Sequence, residues 1–261
     1  MDERFDYILF TNEISRPKEG VWQIRPIEYK NKDNTRICRY IKTHPDSLFP
    51  NYEVSVWIDS NIQILSKEFY DRIVELDETG ILISCMSHAF RKCIYEEAFA
   101  VVNMMVEHEG VVIDWCHFLR KEKYPRYNGL CETGVLYRKH CSSSISKIDA
   151  LWWEYINHFS RRDQLSYNFV LWKAGIPCHY FGGDSTNLRN THLLRIIPHK
   201  DKKHNYCEIK KNEAWLMRHC WKKVEDTPKI AELYYRLYAW PLPHFWFALV
   251  GQYYRLKDRM K

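Results

Sequence analysis

The first group in the sequence able to do chemistry is an aspartate at the end of an alternating apolar run. In VSVWIDSNIQIL, Val54, Val56 and Ile58 alternate, so the chain is extended until Asp59. In an open α/β sheet, ligands bind beyond the carboxyl ends of strands. A carboxylate there, with a second oxygen ligand two residues on, can hold a divalent cation that bridges a diphosphate. Asp59 and Asn61 have that spacing, which an ordinary Asx turn shares. A second group is HFSRRDQLSYNFVLWKAG (158–175), where Asp163, Gln164 and Asn168 offer carboxylate and amide groups suited to sugar hydroxyls. An acid at a helix start also suits the helix dipole. In SHAFRKCIYEEAFAVV (87–102), Arg91 can bind phosphate through its guanidinium fork, while Glu96 and Glu97 open a helix as carboxylates or as plain solvated residues. Glu132-Thr133-Gly134 leads into a strand, where the glycine permits close approach of a ligand. His192, His199 and His204 follow, and one of them, such as His199, can ligate a metal from the far side of a diphosphate. No GxSxG elbow, Walker A or GxGxxG motif occurs.

The elements that must position these groups alternate. Residues 5–11, 21–29, 52–59, 61–65, 80–85 and 133–139 read as strands. Helices are predicted at 34–43 with Asn34 as N-cap, at 66–76 with Ser66 as N-cap, and at 93–107, 111–123, 146–159 and 163–174. Strands alternating with helices predict an α/β sandwich with a mostly parallel central sheet flanked by helices. From 206 the pattern is helical and tail-like, broken at WPLP (240–243).

Composition narrows the classes. The chain has 261 residues, enough for one large domain or two small ones. Its 15% aromatic share excludes intrinsic disorder and suits sugar sites and membrane interfaces. Nine cysteines without a CxxC pair or zinc-ribbon spacing predict reduced thiols in a cytoplasmic protein. No apolar run approaches the roughly 20 residues of a spanning helix. Residues 191–261 carry 15 Lys/Arg against 7 Asp/Glu, so the excess of positive charge sits in the C-terminal quarter. Without a nucleic-acid module, that basic, aromatic segment fits an anionic membrane surface and not nucleic acid. Residues 245–250 are too few to span a bilayer and suit its interface, or packing against a partner surface.

Taken in order, FDYILFTNE, GVWQIRPIEY, RYIKTHPDSLFPNYEVSVWIDSNIQI, HAFRKCIYEEA, ETGVLYRKH and FSRRDQLSYNFVLWKAG resemble one family. It is the glycosyltransferase-like domain shared by plant mucilage- and turgor-related Golgi proteins and bacterial polysaccharide-locus proteins. The resemblance spans residues 5–175, with WIDSNIQI and RRDQLSYNFVLWK its most specific blocks.

The resemblance implies a GT-A-like domain over residues 1–205, followed by a basic aromatic helical extension over 206–261. It implies a nucleotide-sugar donor and a glycan or glycolipid acceptor, with Asp59, Asn61, Arg91 and Tyr95 at the donor. Asp163, Gln164, Glu96 and Glu97 are then the catalytic candidates, and Asp59, Asn61 and His199 would hold Mn²⁺ or Mg²⁺. Asn61 stands where better-known GT-A enzymes carry an aspartate, and its neutral amide is the weaker ligand. Family members usually begin with a further strand and loop, so that first strand is expected to be missing here. The expected activity is sugar transfer to a cell-surface polysaccharide or glycolipid, peripherally attached to the cytoplasmic membrane face. The alternatives are a non-catalytic sugar- or lipid-binding relic of the fold, and a ceramidase-type lipid-amide hydrolase.

Overall fold

The computed structural model describes residues 1–104 and 106–198. The predicted tail over 206–261, with its domain boundary at 205, lies outside them. The described residues form two compact units, Met1–Phe90 with 130–198, and 91–104 with 106–129. Among them no helix is long and apolar enough to cross a membrane.

The first unit opens with β1 (Tyr7–Phe10), β2 (Lys18–Glu19) and β3 (Trp22–Arg25), followed by α1 (Asn34–Thr43) and the single turn α2 (Pro45–Leu48). Next come β4 (Ser55–Ile58), β5 (Ile62–Ile64), α3 (Glu68–Glu78) and β6 (Ile83–Ser87). The second unit holds α4 (Ile94–Asn103) and α5 (Glu109–Lys121). The chain then returns to the first unit as β7 (Cys131–Arg138), α6 (Ser143–His158), α7 (Gln164–Ala174), β8 (His179–Tyr180) and β9 (Leu194–Ile196).

Local chemistry sets the helix ends. Asp33, with extended backbone, caps α1 by accepting the Thr35 N–H at 2.9 Å, so the cap lies one residue before the expected Asn34. The helix stops before His44-Pro45 because the residue preceding a proline is disfavoured in α conformation. The Ser66 hydroxyl accepts from the Glu68 N–H at 3.2 Å, although Lys67 is the first flanking residue of α3. Along α3, Phe69, Tyr70, Ile73 and Leu76 repeat at helical spacing and are buried. They pack with Val135 and Tyr137 of β7 and with Phe181, Leu188 and Leu193 into one core.

The main sheet runs β4-β7-β6-β8. β7 lies antiparallel to both β4 and β6, and only the β6–β8 pair is parallel. β1 pairs with β3 in parallel, β2 with β3 antiparallel, and β5 with β9 antiparallel. The sheets are therefore small and mixed, where a mostly parallel sheet was expected. The apolar pattern of TGVLYRK fixes a buried strand but carries no direction, and here β7 enters between two strands already laid down.

Between β6 and β7 the register slips, with Cys85 facing Leu136 and Met86 facing Glu132. Residues 133–135 thus have no partner on β6, and β7 bends there.

Gly175 ends α7 with φ of 68°, and nothing lies within 4 Å of where its Cβ would stand. Gly175→Ala should therefore cost only the left-handed backbone strain, about 1 kcal/mol. The expected result is a lower urea midpoint with an unchanged slope.

Candidate functional site

Asp59 follows β4 directly. Its N–H donates to the Gly134 carbonyl at 2.8 Å, and its own carbonyl accepts from Ile62 at 2.9 Å, which turns the chain into β5. The Trp57 indole N–H donates to Asp59 Oδ1 at 2.7 Å and fixes the carboxylate. A Cβ at Gly134 would stand 3.3 Å from Asp59 Oδ2 and 3.1 Å from Ile62 Cδ1, so glycine leaves room beside the second oxygen. Asn61 is half-buried, and its backbone carbonyl accepts from Ile197 at 2.7 Å alongside the β5–β9 pair.

Asp59, Ser60 and Asn61 line a cavity of about 1050 Å³. Its walls include the β1 and β4 residues, with Ile37 and Cys38 of α1 and Phe69 and Ile73 of α3. β1 pairs only with β3, and β4 only with β7, among the described residues. The volume stands just above the roughly 300–1,000 Å³ usual for small-molecule sites.

Asp163 occupies a different setting from the one its helix-entrance position implies. It flanks α7 without any side-chain cap bond and is 3% exposed. Its Oδ2 accepts from Lys42 Nζ at 2.6 Å and from the Thr133 hydroxyl at 2.9 Å, while Arg39 Nε lies 3.0 Å from Oδ1. Its backbone carbonyl accepts the Trp152 indole N–H at 3.0 Å. Burial alone would raise this carboxyl's pKa, but the Arg39 and Lys42 charges and the Lys42 hydrogen bond outweigh it and hold the group well below the usual range. A carboxylate so held is a weak base. Through these bonds Asp163 ties α1 to β7 and to the start of α7. Gln164, the first residue of α7, is half-buried beside it, and Asn168 Oδ1 accepts the Cys131 N–H at 2.9 Å.

At the start of β7 the Glu132 carboxylate accepts from Arg189, whose guanidinium lies over the Phe90 ring at 4.9 Å. Glu132 Oε2 is buried with no hydrogen-bond partner.

Arg91, Tyr95, Glu96 and Glu97 belong to the second unit. There the Arg91 guanidinium donates to Glu97 Oε2 at 2.6 Å, with Glu97 buried. The Tyr95 hydroxyl donates to the Tyr124 carbonyl at 3.1 Å. Glu96 is half-buried and hydrogen-bonds the exposed Tyr127, which raises that phenol's pKa. His192 faces Glu68 at 2.9 Å on the surface of the first unit, while His199 lies outside the described residues.

Asp59 and Asn61, the described residues expected to hold a divalent cation, both line this cavity and would offer it a carboxylate and an amide oxygen. Such a set fits a hard ion that takes most of its shell from water and diphosphate oxygens. Lys42 and Arg39 escape a reading of the sequence because NTRICRYIKT shows them only as helix cations. Their partner stands 121 residues away in the case of Lys42. Trp57 carried a signal that could have found it, since it sits two residues before Asp59 in an otherwise alternating strand.

The family model described as TOD1/MUCI70, glycosyltransferase-like domain, matches residues 7–181. Neither a curated protein nor a solved structure matches the chain.

Asp163→Ala strands Lys42, itself 1% exposed, and should destabilise the protein by about 3–5 kcal/mol in urea unfolding. The pH dependence has a definite sign. A carboxyl depressed in the folded state contributes stability that is present above its unfolded pKa near 4 and is lost as pH falls toward the folded value. Acid titration of stability should therefore steepen below about pH 4 in the wild type and flatten there in Asp163→Asn.

Proposed function

The chain belongs to the TOD1/MUCI70 glycosyltransferase-like domain family, and on that premise we propose that it moves a sugar from a nucleotide-sugar to a cell-surface glycan or glycolipid. The fold proposed is a GT-A-like sandwich. The observation that carries the reading is the placement of Asp59. Its carboxylate stands at the end of β4, fixed by Trp57, beside a glycine and on the wall of a cavity of about 1050 Å³.

In this reading Asp59 and Asn61 face the donor diphosphate. A divalent cation held by Asp59 Oδ2 and the Asn61 amide supplies positive charge to the leaving diphosphate when bound. The Trp57 bond keeps the Asp59 carboxylate in one orientation, so no reorganisation is needed as negative charge develops. Asp163, with Lys42 and Arg39, keeps α1 and the bend of β7 in place beside the cavity. Gln164 and Asn168 stay proposed for sugar hydroxyls, although neither lines the cavity and Asn168 already holds the Cys131 N–H. Arg91, Tyr95, Glu96 and Glu97 of the second unit are proposed in their own right as donor contacts and candidate bases. The basic aromatic segment over 229–261 would hold the protein at an anionic membrane face near a lipid-linked acceptor.

A thermal-shift panel of UDP-, GDP-, dTDP- and CMP-sugars, with and without Mn²⁺ or Mg²⁺, tests the donor. A ligand at 100 times its Kd stabilises the fold by about 2.7 kcal/mol, a rise of several degrees. The expected result is a shift with one nucleotide class, lost in Asp59→Ala and weakened at least about tenfold, or 1.4 kcal/mol, in Gly134→Ala. No shift with any donor in the folded protein would move the assignment to a non-catalytic sugar- or lipid-binding module. For membrane attachment, co-sedimentation with anionic vesicles should be lost on deleting 240–261. Equal pelleting of both forms would refute it.

A further inference from the structure

Three cysteines distant in sequence converge on adjacent strands of the main sheet. Cys85 lies in β6, Cys131 opens β7, and Cys178 immediately precedes β8. Cys178 Sγ is 3.2 Å from Cys85 Sγ and 3.0 Å from Cys131 Sγ, and all three sulfurs lie within 4.8 Å of one another. Cys85 and Cys131 are 0% exposed, while Cys178 is half-buried and gives the cluster its side toward solvent. The slipped register of β7 makes the meeting possible, since it sets Cys131 opposite Ser87 instead of several residues further along β6.

A second observation is independent of the thiols. Tyr167 of α7 is 0% exposed, and its hydroxyl has no hydrogen-bond partner. The next residue, Asn168, accepts the Cys131 N–H at 2.9 Å, which brings this part of α7 to the Cys131 end of β7. A buried hydroxyl without a partner costs about 1–3 kcal/mol, so its retention on the helix that holds Cys131 asks for a reason. Anionic sulfur would supply the missing acceptor.

We propose that Cys85, Cys131 and Cys178 bind one Zn²⁺ ion as three thiolates, with the Tyr167 hydroxyl donating a hydrogen bond to the sulfur cluster. On binding, three S–H protons leave to solvent as three Zn–S bonds form, and Tyr167 keeps its proton. Zn–S bonds of about 2.3 Å in tetrahedral geometry need sulfurs somewhat further apart than the two short pairs here. Cys178 can supply that adjustment, because it sits in the approach to a two-residue edge strand. Its solvent side leaves the fourth position to water. Soft thiolate ligands select zinc over Mg²⁺ or Mn²⁺, so this ion is distinct in kind from any held by Asp59 and Asn61. Bound there, it would clamp the short β8 to β6 and β7 and hold Cys131, whose next three residues bend toward Asp163 and Asp59.

The full-length chain, purified under reducing conditions without chelator, should carry one zinc per chain by elemental analysis. Replacing it with Co²⁺ should give near-ultraviolet sulfur-to-cobalt absorption with an intensity counting three thiolates. Cys178→Ser, at the half-buried position, should lower zinc affinity at least tenfold and the absorption by about a third. Cys93→Ser and Cys116→Ser should leave both unchanged. Tyr167→Phe should retain the metal and shift the charge-transfer band. A chain without zinc that also shows no sulfur-to-cobalt band overturns the proposal, without reliance on any variant. So does a disulfide between Cys178 and Cys131 or Cys85 in the reduced preparation, or zinc that survives in the triple serine variant. Donor binding by the Asp59 site is scored separately, in the nucleotide-sugar panel.

Discussion

One buried carboxylate organises the first unit. Asp163 is taken out of water in the company of Lys42, Arg39 and Thr133, and each comes from an element that would otherwise have freedom to shift. A charge in the interior tolerates neither the loss of its partners nor their displacement by an ångström or two. The pairing therefore specifies position as well as stability: α1 must present one face to α7, and β7 must bend where Thr133 reaches inward. Trp152 of α6 adds a fourth tie through the backbone carbonyl of the same residue. A second buried pair, Arg138 with Asp149 at 2.6 Å, locks β7 to α6 further along. There burial pushes the Asp149 carboxyl up to about 6 despite its partner, the reverse of the balance at Asp163.

β7 is the strand on which separate demands meet. The stretch at residues 133–135, without a partner on β6, gives Thr133 to the ionic centre and Gly134 to Asp59, while Cys131 returns to the level of Ser87. A regular strand would alternate its side chains between two faces and could not meet all three. The slip thus converts a structural strand into one that also shapes the end of the sheet where ligands would bind.

Much of this was legible before any coordinates. The alternation in VSVWID places Asp59 at a strand end because one buried face leaves few other options. Gly175 stops α7, and Pro45 stops α1, for local steric reasons that sequence shows directly. What sequence hides is anything decided by distant partners. Asp163 reads as a helix-entrance acid, yet its side chain turns inward to cations on α1. Asn34 reads as a cap, but the preceding Asp33 has the extended backbone and the shorter route to Thr35. Strand direction is equally silent, since an apolar run is the same read either way. The three cysteines have no spacing that would mark them, because the sheet and not the chain makes them neighbours.

The place of β7 between β4 and β6 also bears on how the chain reaches its folded state. Both outer strands emerge during synthesis well before the strand that joins them, and Ser55 must wait for Arg138. At ribosomal speeds of about 5–20 residues per second, that interval is on the order of ten seconds. Throughout it, the edges of β4 and β6 that pair with β7 have no strand to bond, whereas α4 and α5 need only each other's neighbourhood in sequence. Closing the sheet across so long a loop places this unit among slow, nonlocal folders, with a nascent intermediate whose open strands invite wrong pairing.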